Sequence, residues 1–417
     1  MSGNQDRRRQ AFEVLFGELA AIGRDPGGGW TRLAWTEEDR AARAWFEAAA
    51  TDRGLAVERD PAGNLWAWWG GPADPAAEGA AVAVGSHLDT VRGGGAYDGA
   101  LGVVSGLLAV GELIERGVEP GRPVAVVAFA DEEGGRFGVP LFGSRVLTGA
   151  LDPADLLGRA DEHGTSVAEA LAGAGIDPDG FGPDPARVGR LAAFVELHVE
   201  QGRGLADLGQ PVALATAMWP HGRWRLTLTG EANHAGTTRL ADRRDPMLGL
   251  AAAVLGARAA ATELAAVATV GRVLVEPNSA NSVPGRVSAW LDARAEEDQR
   301  LDWLLAAFEA AVADAAARNG LAAELAAESR SPGVEFDPAL TDRLDACLRA
   351  SGLEPARLPT AAGHDAGALA AAAAPTAMLF VRNPTGTSHS PAETAEVEDC
   401  LTGVGALAAV VEELACR

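Results

Sequence analysis

Four stretches of the chain run apolar without alternation and then break off at residues that can hold a proton or a metal. "GAAVAVGSH" ends at His87, and "PVAVVAFADEE" ends at Asp131, Glu132 and Glu133. "RLAAFVELHVE" carries Glu196 and His198 near its end, and "PTAMLFVRNPTGTSH" leads through a glycine-containing loop to His389. Runs of this kind predict strands buried on both faces, in a parallel or mixed sheet. Between them the period changes. "ALGVVSGLLAVGELIERG", opening just after Asp98, reads as helix, as do residues 5–24 and 37–53, the latter with Thr36 as N-cap and acids in its first turn. "LAVERDPAGNLWAWWGG" reads as a hairpin turning at Asp60–Asn64, and the alanine-rich run 366–375 as buried helix. The predicted fold class is α/β, with a mixed, mostly parallel sheet covered by helices.

From residue 223 to about 330 the rhythm differs. "RWRLTLTG" alternates, "DPMLGLAAAVLGARAAATELAA" is helical, and "VATVGRVLVEP" and "GRVSAWLDAR" are strands. A long helix, "AEEDQRLDWLLAAFEAAVADAAARNG", and a last strand, "LAAELAAES", complete the order β-α-β-β-α-β. That is the split βαβ arrangement of a ferredoxin-like domain. We therefore expect a catalytic domain in two parts, 1–213 and 331–417, with an inserted α+β lid or dimerisation domain at 214–330.

The chain has 417 residues, 47% of them hydrophobic and 22% charged, with a net charge of −23. So acidic a surface argues against nucleic acid or an anionic membrane as partner. No window offers the uninterrupted apolar length of a membrane span or a signal peptide. Cys347, Cys400 and Cys416 show no metal-type pairing, which reads as reduced thiols in a cytoplasmic protein.

In open α/β sheets ligands collect beyond the carboxyl ends of the strands, and His87, Asp98, Glu132, Glu133, His198 and His389 all fall there. Taken singly each has an ordinary reading: "DEEGG" suits a solvated acidic loop, and Asp89 either orients His87 or caps a turn. Jointly they do not, since six of the seven histidines lie beside glycine or acidic motif residues and only His163 looks like plain surface. Imidazole and carboxylate suit zinc, or manganese, cobalt or nickel. Five ligands exceed one tetrahedral ion that keeps a place for water. Two ions about 3.5–4 Å apart and sharing a carboxylate use five, and Asp98, on a glycine-flanked turn at a helix start, is the natural bridge. Adjacent glutamates permit one to bind metal while the other moves a proton.

At this point a resemblance adds to the residues. "GSHLDTV", "GGAYDGALGV", "EEGGRFGVPLFGSR", "ELHVEQG", "GEANHAGTT", "RRDP", "PNSANSVPG", "AGHDA" and "TSHSPAE" together resemble the N-carbamoyl-L-amino-acid hydrolase and allantoate amidohydrolase family, within the wider dizinc aminoacylase and carboxypeptidase superfamily. The similarity runs in order from about residue 30 to 395. It implies that His87, Asp98, Glu133, His198 and His389 hold two divalent ions, zinc first, with Asp98 bridging. It further implies that Glu132 is the general base and that Asp89 holds the imidazole of His87. His234, from the inserted domain of the other subunit of a homodimer, would stabilise the oxyanion. Asn281 and Arg294 would hold a substrate carboxylate, with Gln201 and His364 lining that pocket. The bond after Asp98 would be cis. Two departures stand out: His221 and Trp219 occupy positions where relatives carry smaller or apolar residues, and Arg239 replaces a common proline. His221 is a candidate to face the substrate.

The implied reaction is hydrolysis of a C–N bond in a small ureido or N-carbamoyl carboxylate, leaning to allantoate, with N-carbamoyl-L-amino acids and N-carbamoyl-β-alanine next. N-formyl or N-acyl amino acids and dipeptides are the alternatives. A binding protein on a dead hydrolase fold predicts a missing ligand or base, and all six positions are filled.

Overall fold

The computed structural model describes residues 2–71 and 79–416. In chain order its strands are β1 (Ala56–Arg59), β2 (Leu65–Trp69), β3 (Ala81–His87), β4 (Val124–Phe129), β5 (Leu191–Val199), β6 (Val212–Met218), β7 (His221–Thr229) and β8 (Asn233–His234). There follow β9 (Val267–Glu276), β10 (Ser282–Val283), β11 (Arg286–Arg294), β12 (Ala322–Ser331), β13 (Val334–Glu335), β14 (Ala356–Thr360) and β15 (Thr376–Val381). The chain divides into two compact units, one of residues 1–216, 335–358 and 363–417, the other of 217–334 and 359–362.

The first unit is built on a sheet of order β1-β2-β4-β3-β5-β15-β6-β13, with β14 beside β6. Its centre, β4-β3-β5-β15, is parallel, while β2 joins β4 and β6 joins β15 antiparallel. Every residue of β3, β4 and β15 is buried, which is why these strands read as continuous apolar runs. Val103, Leu107 and Val110 of helix Ala100–Glu115 and Val404, Leu407 and Val411 of helix Val397–Ala415 share one core with Val82, Val84, Val195 and Leu197 of the sheet. Helix Val397–Ala415, unassigned in the sequence reading, turns Cys400, Val404, Leu407, Val411 and Leu414 into that core at helical spacing. The Thr36 cap is present, accepting from Asp39 N.

One expectation is corrected. Asp98–Gly99 is not cis; among the described residues the cis peptide bond is Glu276–Pro277. Gly99 makes the tight turn with φ of 64° instead, a conformation glycine adopts without the cost of a non-proline cis bond.

The second unit is an antiparallel sheet of order β12-β7-β11-β9 with helices Pro246–Glu263 and Asp298–Asn319. Burial alternates strictly along β7 and β11. Trp224, Leu226, Leu228, Val287, Ala289 and Leu291 form a core with Leu250, Ala253, Leu301, Leu304 and Phe308 of the helices. That connectivity and order make it ferredoxin-like. Among the described residues no helix is long and apolar enough to cross a membrane.

Candidate metal centre

The parallel strands stop at one edge of the sheet, and the predicted ligands gather there. His87 closes β3, His198 lies in β5, Glu132 and Glu133 follow β4, and His389 follows β15. Asp131, with φ of 51°, redirects the chain into the two glutamates. Asp98 precedes helix Ala100–Glu115, and a side chain at Gly99 would lie within 2.4 Å of the His87 ring.

Asp98 is shared. Its Oδ1 lies 3.1 Å from His198 Nε2 and 3.6 Å from His87 Nε2, and its Oδ2 lies 3.3 Å from His389 Nε2. His389 Nε2 is also 3.4 Å from Glu133 Oε2. Two sets follow, His87–Asp98–His198 and Asp98–Glu133–His389, each offering donor atoms within 4.8 Å of one another. Donors about 2.1 Å from one tetrahedral cation stand roughly 3.4 Å apart, so the spacing fits. Buried His87 Nε2 and Glu133 Oε1 have no hydrogen-bond partner among the described residues, as expected of atoms kept for an ion.

The electrostatics agree. Burial opposes charge on His87, yet Glu132, Asp98 and Asp89 hold its imidazole well above the usual range. The hydrogen bond to Asp98 lifts His389 to about 9. Burial would raise Asp98, but the three imidazoles around it push it well below a normal carboxylate. Burial, with Asp98 next, raises Glu133 to about 7, and burial raises Glu132 well above its ordinary value. Protons crowd where divalent cations would sit.

Glu132 stands beside this group, its Oε2 3.6 Å from His87 Nε2. Asp89 is placed differently from expectation. His87 Nδ1 meets the backbone oxygen of Asp89 at 3.0 Å, with the carboxylate at 3.7 Å. That carboxylate instead accepts the backbone N–H of Glu132 and of Glu133, both at 3.1 Å. Two adjacent amides outcompete one imidazole because each oxygen then has a linear donor of its own. Gln201 Nε2 donates to Asp98 Oδ2 at 2.9 Å, so it touches the shared carboxylate. The His364 ring packs edge-on against His198, centroids 4.6 Å apart.

In the inserted unit the candidates form two groups. His234 is exposed on β8 and paired with Ser282 of β10, next to Asn281, whose backbone oxygen accepts from Ala235 N. His234 Nδ1 accepts from Gly236 N at 3.0 Å and Thr237 N at 3.2 Å, which leaves Nε2 as the N–H. His221 and Arg294 face each other at the far end of β7 and β11. Arg294 donates to Asp292 Oδ1 at 3.0 Å and to Ala361 O at 2.7 Å. Burial lowers the His221 imidazole, whose Nδ1 meets Trp219 O at 3.2 Å. Between the two groups run the nine residues of β11, about 26 Å of strand. Asn281 and Arg294 of one chain thus lie toward opposite ends of β11.

The sequence description "Peptidase family M20/M25/M40" matches residues 83–413. The chain belongs to this family. As an M20 hydrolase it is 37% identical to an N-carbamoyl-L-amino acid amidohydrolase of Geobacillus stearothermophilus, over 95% of this chain and 96% of that one. It is 32% identical to an allantoate amidohydrolase of Bacillus subtilis, over 95% of each. Among solved structures, an amidase of the hydantoinase/carbamoylase family from Burkholderia multivorans superposes with a TM-score of 0.86 at 34% identity, covering 98% of both chains. The α/β fold with its ferredoxin-like insertion is thus the M20 architecture.

Three polar residues around the ligand sets were given no role in the sequence reading. Glu196 is fully buried, accepting from Ser86 Oγ at 2.6 Å and Ala366 N at 2.8 Å. It forms a third group with His198 and His364, but its oxygens are already engaged and His198 Nε2 already faces Asp98. Ser388 and Glu393, both inside the quoted "TSHSPAE", contact Asp98 or its turn. Residue order marks a histidine as a ligand; it does not mark which neighbour holds a backbone amide.

Proposed function

We propose that this M20 hydrolase cleaves the C–N bond of an N-carbamoyl-L-amino acid or of allantoate, using two divalent cations per subunit, zinc first and manganese, cobalt or nickel as alternatives. The observation that carries the reading is Asp98, whose two oxygens face different imidazoles at 3.1 and 3.3 Å. Cations held by His87, Asp98, His198, Glu133 and His389 would activate water and polarise the carbamoyl carbonyl.

The chain's own residues do the rest. Glu132, buried and raised in proton affinity, takes a proton from the attacking water and hands it to the leaving nitrogen. His234 donates its Nε2–H to the carbonyl oxygen as charge develops there. In this reading it comes from the partner subunit, and Asn281, its neighbour, comes with it. Arg294 takes the substrate carboxylate, with His221 opposite it and Gln201 and His364 beside the shared aspartate. An N-carbamoyl amino acid and water give the amine, carbon dioxide and ammonia.

A homodimer through the inserted unit is supported by its apolar outer face. Leu248 and Leu255 of helix Pro246–Glu263 are 55% and 70% exposed, and Leu274 on edge strand β9 is 49% exposed. The free cysteines are consistent with a cytoplasmic location.

Relatives named for N-carbamoyl-L-amino acids are 37%, 33% and 32% identical to this chain and those named for allantoate 32%, so both substrates are kept. The test follows the product of each hydrolysis, with and without added zinc or manganese: ammonia from allantoate and N-carbamoyl-L-amino acids, formate from N-formyl amino acids, and free amino acids from dipeptides. Carbamoyl or allantoate turnover that requires metal supports the proposal. Turnover of dipeptides alone, or none at all, overturns it.

A further inference from the structure

Glu393 is buried, lies four residues past His389, and reaches back to the turn that carries Asp98. Its Oε1 accepts the backbone N–H of Tyr97 and of Asp98, each at 3.0 Å. Its Oε2 accepts from Ser388 Oγ at 3.1 Å, and that hydroxyl is 3.3 Å from Asp98 Oδ2. The loop closes on itself through Glu393 N to Ser390 O at 3.0 Å. One side chain thus binds together the segment of His389 and the segment of Asp98. Its hydrogen bonds go to backbone amides and the Ser388 hydroxyl.

Gly95 bears on the same contact from the other side. A Cβ there would lie 2.1 Å from Glu393 Oε1 and 2.2 Å from its Cδ, so the carboxylate can lie on the turn only above a glycine. The φ of Gly95 is outside the left-handed region, so its backbone does not itself require glycine. The close approach does.

We propose that Glu393 is a positioning residue that locks the His389 loop onto the Asp98 turn and so assembles the second cation set, Asp98–Glu133–His389. The inference rests on the two-cation reading of the site. Without Glu393 the Tyr97 and Asp98 amides lose their acceptor, Asp98 is free to turn toward His87 and His198, and His389, half-exposed on its loop, drifts from Oδ2. The first set, whose imidazoles are fixed by Asp89 O and Val199 O, keeps its place.

The experiment titrates the metal-free full-length protein with Mn2+ and reads the electron paramagnetic resonance spectrum. The natural protein with two equivalents should show an exchange-coupled pair. Glu393→Ala should show the six-line spectrum of an isolated ion, with the second ion bound about 10–100-fold more weakly, the usual effect of losing a group that orients a ligand. Glu393→Gln keeps an oxygen for both amides and should restore the coupled spectrum. Gly95→Ala, which displaces the carboxylate without altering it, should reproduce Glu393→Ala and decides the matter if that variant does not fold. Coupled spectra with unchanged second-ion affinity in Glu393→Ala or Gly95→Ala overturn the proposal, even if melting of the metal-free protein falls. A natural protein that binds a single Mn2+ removes the two-cation reading and this proposal together.

Discussion

His87 is held by the backbone of Asp89 and not by its carboxylate: Nδ1 lies 3.0 Å from the main-chain oxygen and 3.7 Å from Oδ1. The imidazole tautomer, with Nε2 free to face Asp98, thus survives any substitution at Asp89 that leaves the backbone in place. The carboxylate serves Glu132 and Glu133 through their amides. Asp89→Asn leaves one of those amides facing an NH2 group, at a cost of about 1–3 kcal/mol. We predict kcat lower by about 10–100-fold with little change in KM, since the base and a ligand shift together. Wild-type kcat in Asp89→Asn would remove this role.

Glu132 is outside the two ligand sets, and its Oε2 lies 3.6 Å from His87 Nε2. Glu132→Gln preserves shape and removes the proton acceptor. Activity should fall by about 10²–10⁴-fold while two metals per subunit remain bound. Metal analysis beside steady-state kinetics separates the two effects, and loss of metal in this variant would make Glu132 a ligand instead of a base.

Metal uptake should release protons. In the metal-free protein His389 titrates at about 9 and Glu133 at about 7, so at pH 7 the imidazole is charged and the carboxyl is partly protonated. A cation needs both without protons. Affinity therefore weakens as pH falls, by about tenfold per unit for each proton displaced. Calorimetry in two buffers of different ionisation enthalpy at pH 7 counts those protons, and a count of zero contradicts the charge state derived from the geometry.

Arg294 uses Nε on Asp292 and one terminal nitrogen on Ala361 O, which fixes the plane of its guanidinium. Arg294→Lys cannot reproduce that fork. A charged hydrogen bond contributes about 1.5–3 kcal/mol, so KM for an N-carbamoyl amino acid should rise about 10–150-fold. The corresponding carboxamide should be insensitive to the change. Equal effects on acid and amide would show that Arg294 does not read the carboxylate.

What could be read in advance follows a physical division. The strands that carry the site were legible because β3, β4 and β15 are buried throughout and end at His87, Phe129 and Val381, with polar residues close behind. The inserted domain was legible because β7 and β11 alternate without a break. Side chains of a kind that can hold a cation declare themselves by type, which is why His87, Asp98, His198 and His389, which the fold brings together, could be picked out as candidates. Glu393 and the carboxylate of Asp89 act on backbone amides, and no residue type at the receiving end signals that. The separation of Asn281 from Arg294 along one chain was legible too, since the two flank the predicted strand "GRVSAWLDAR". Helix Val397–Ala415, with Cys400, Val404, Leu407, Val411 and Leu414 at helical spacing, was legible and went unassigned.

The His234 proposal can be tested without any interface structure. Both amides that bind its Nδ1 come from its own turn, so Nε2–H is presented outward from the inserted unit, ready for a group the turn itself does not supply. If that group is bound at the partner's metal centre, two inactive variants should complement each other. In a heterodimer of His234→Ala with Glu132→Gln, one site combines Glu132 with an intact His234 and the other lacks both. Random mixing then restores about a quarter of the wild-type sites, as two-fold symmetry requires. If His234 serves its own chain, every site in the heterodimer carries one lesion and mixing restores nothing. Unfolding and co-refolding the two variants at equal amounts, then measuring ammonia release, separates these outcomes.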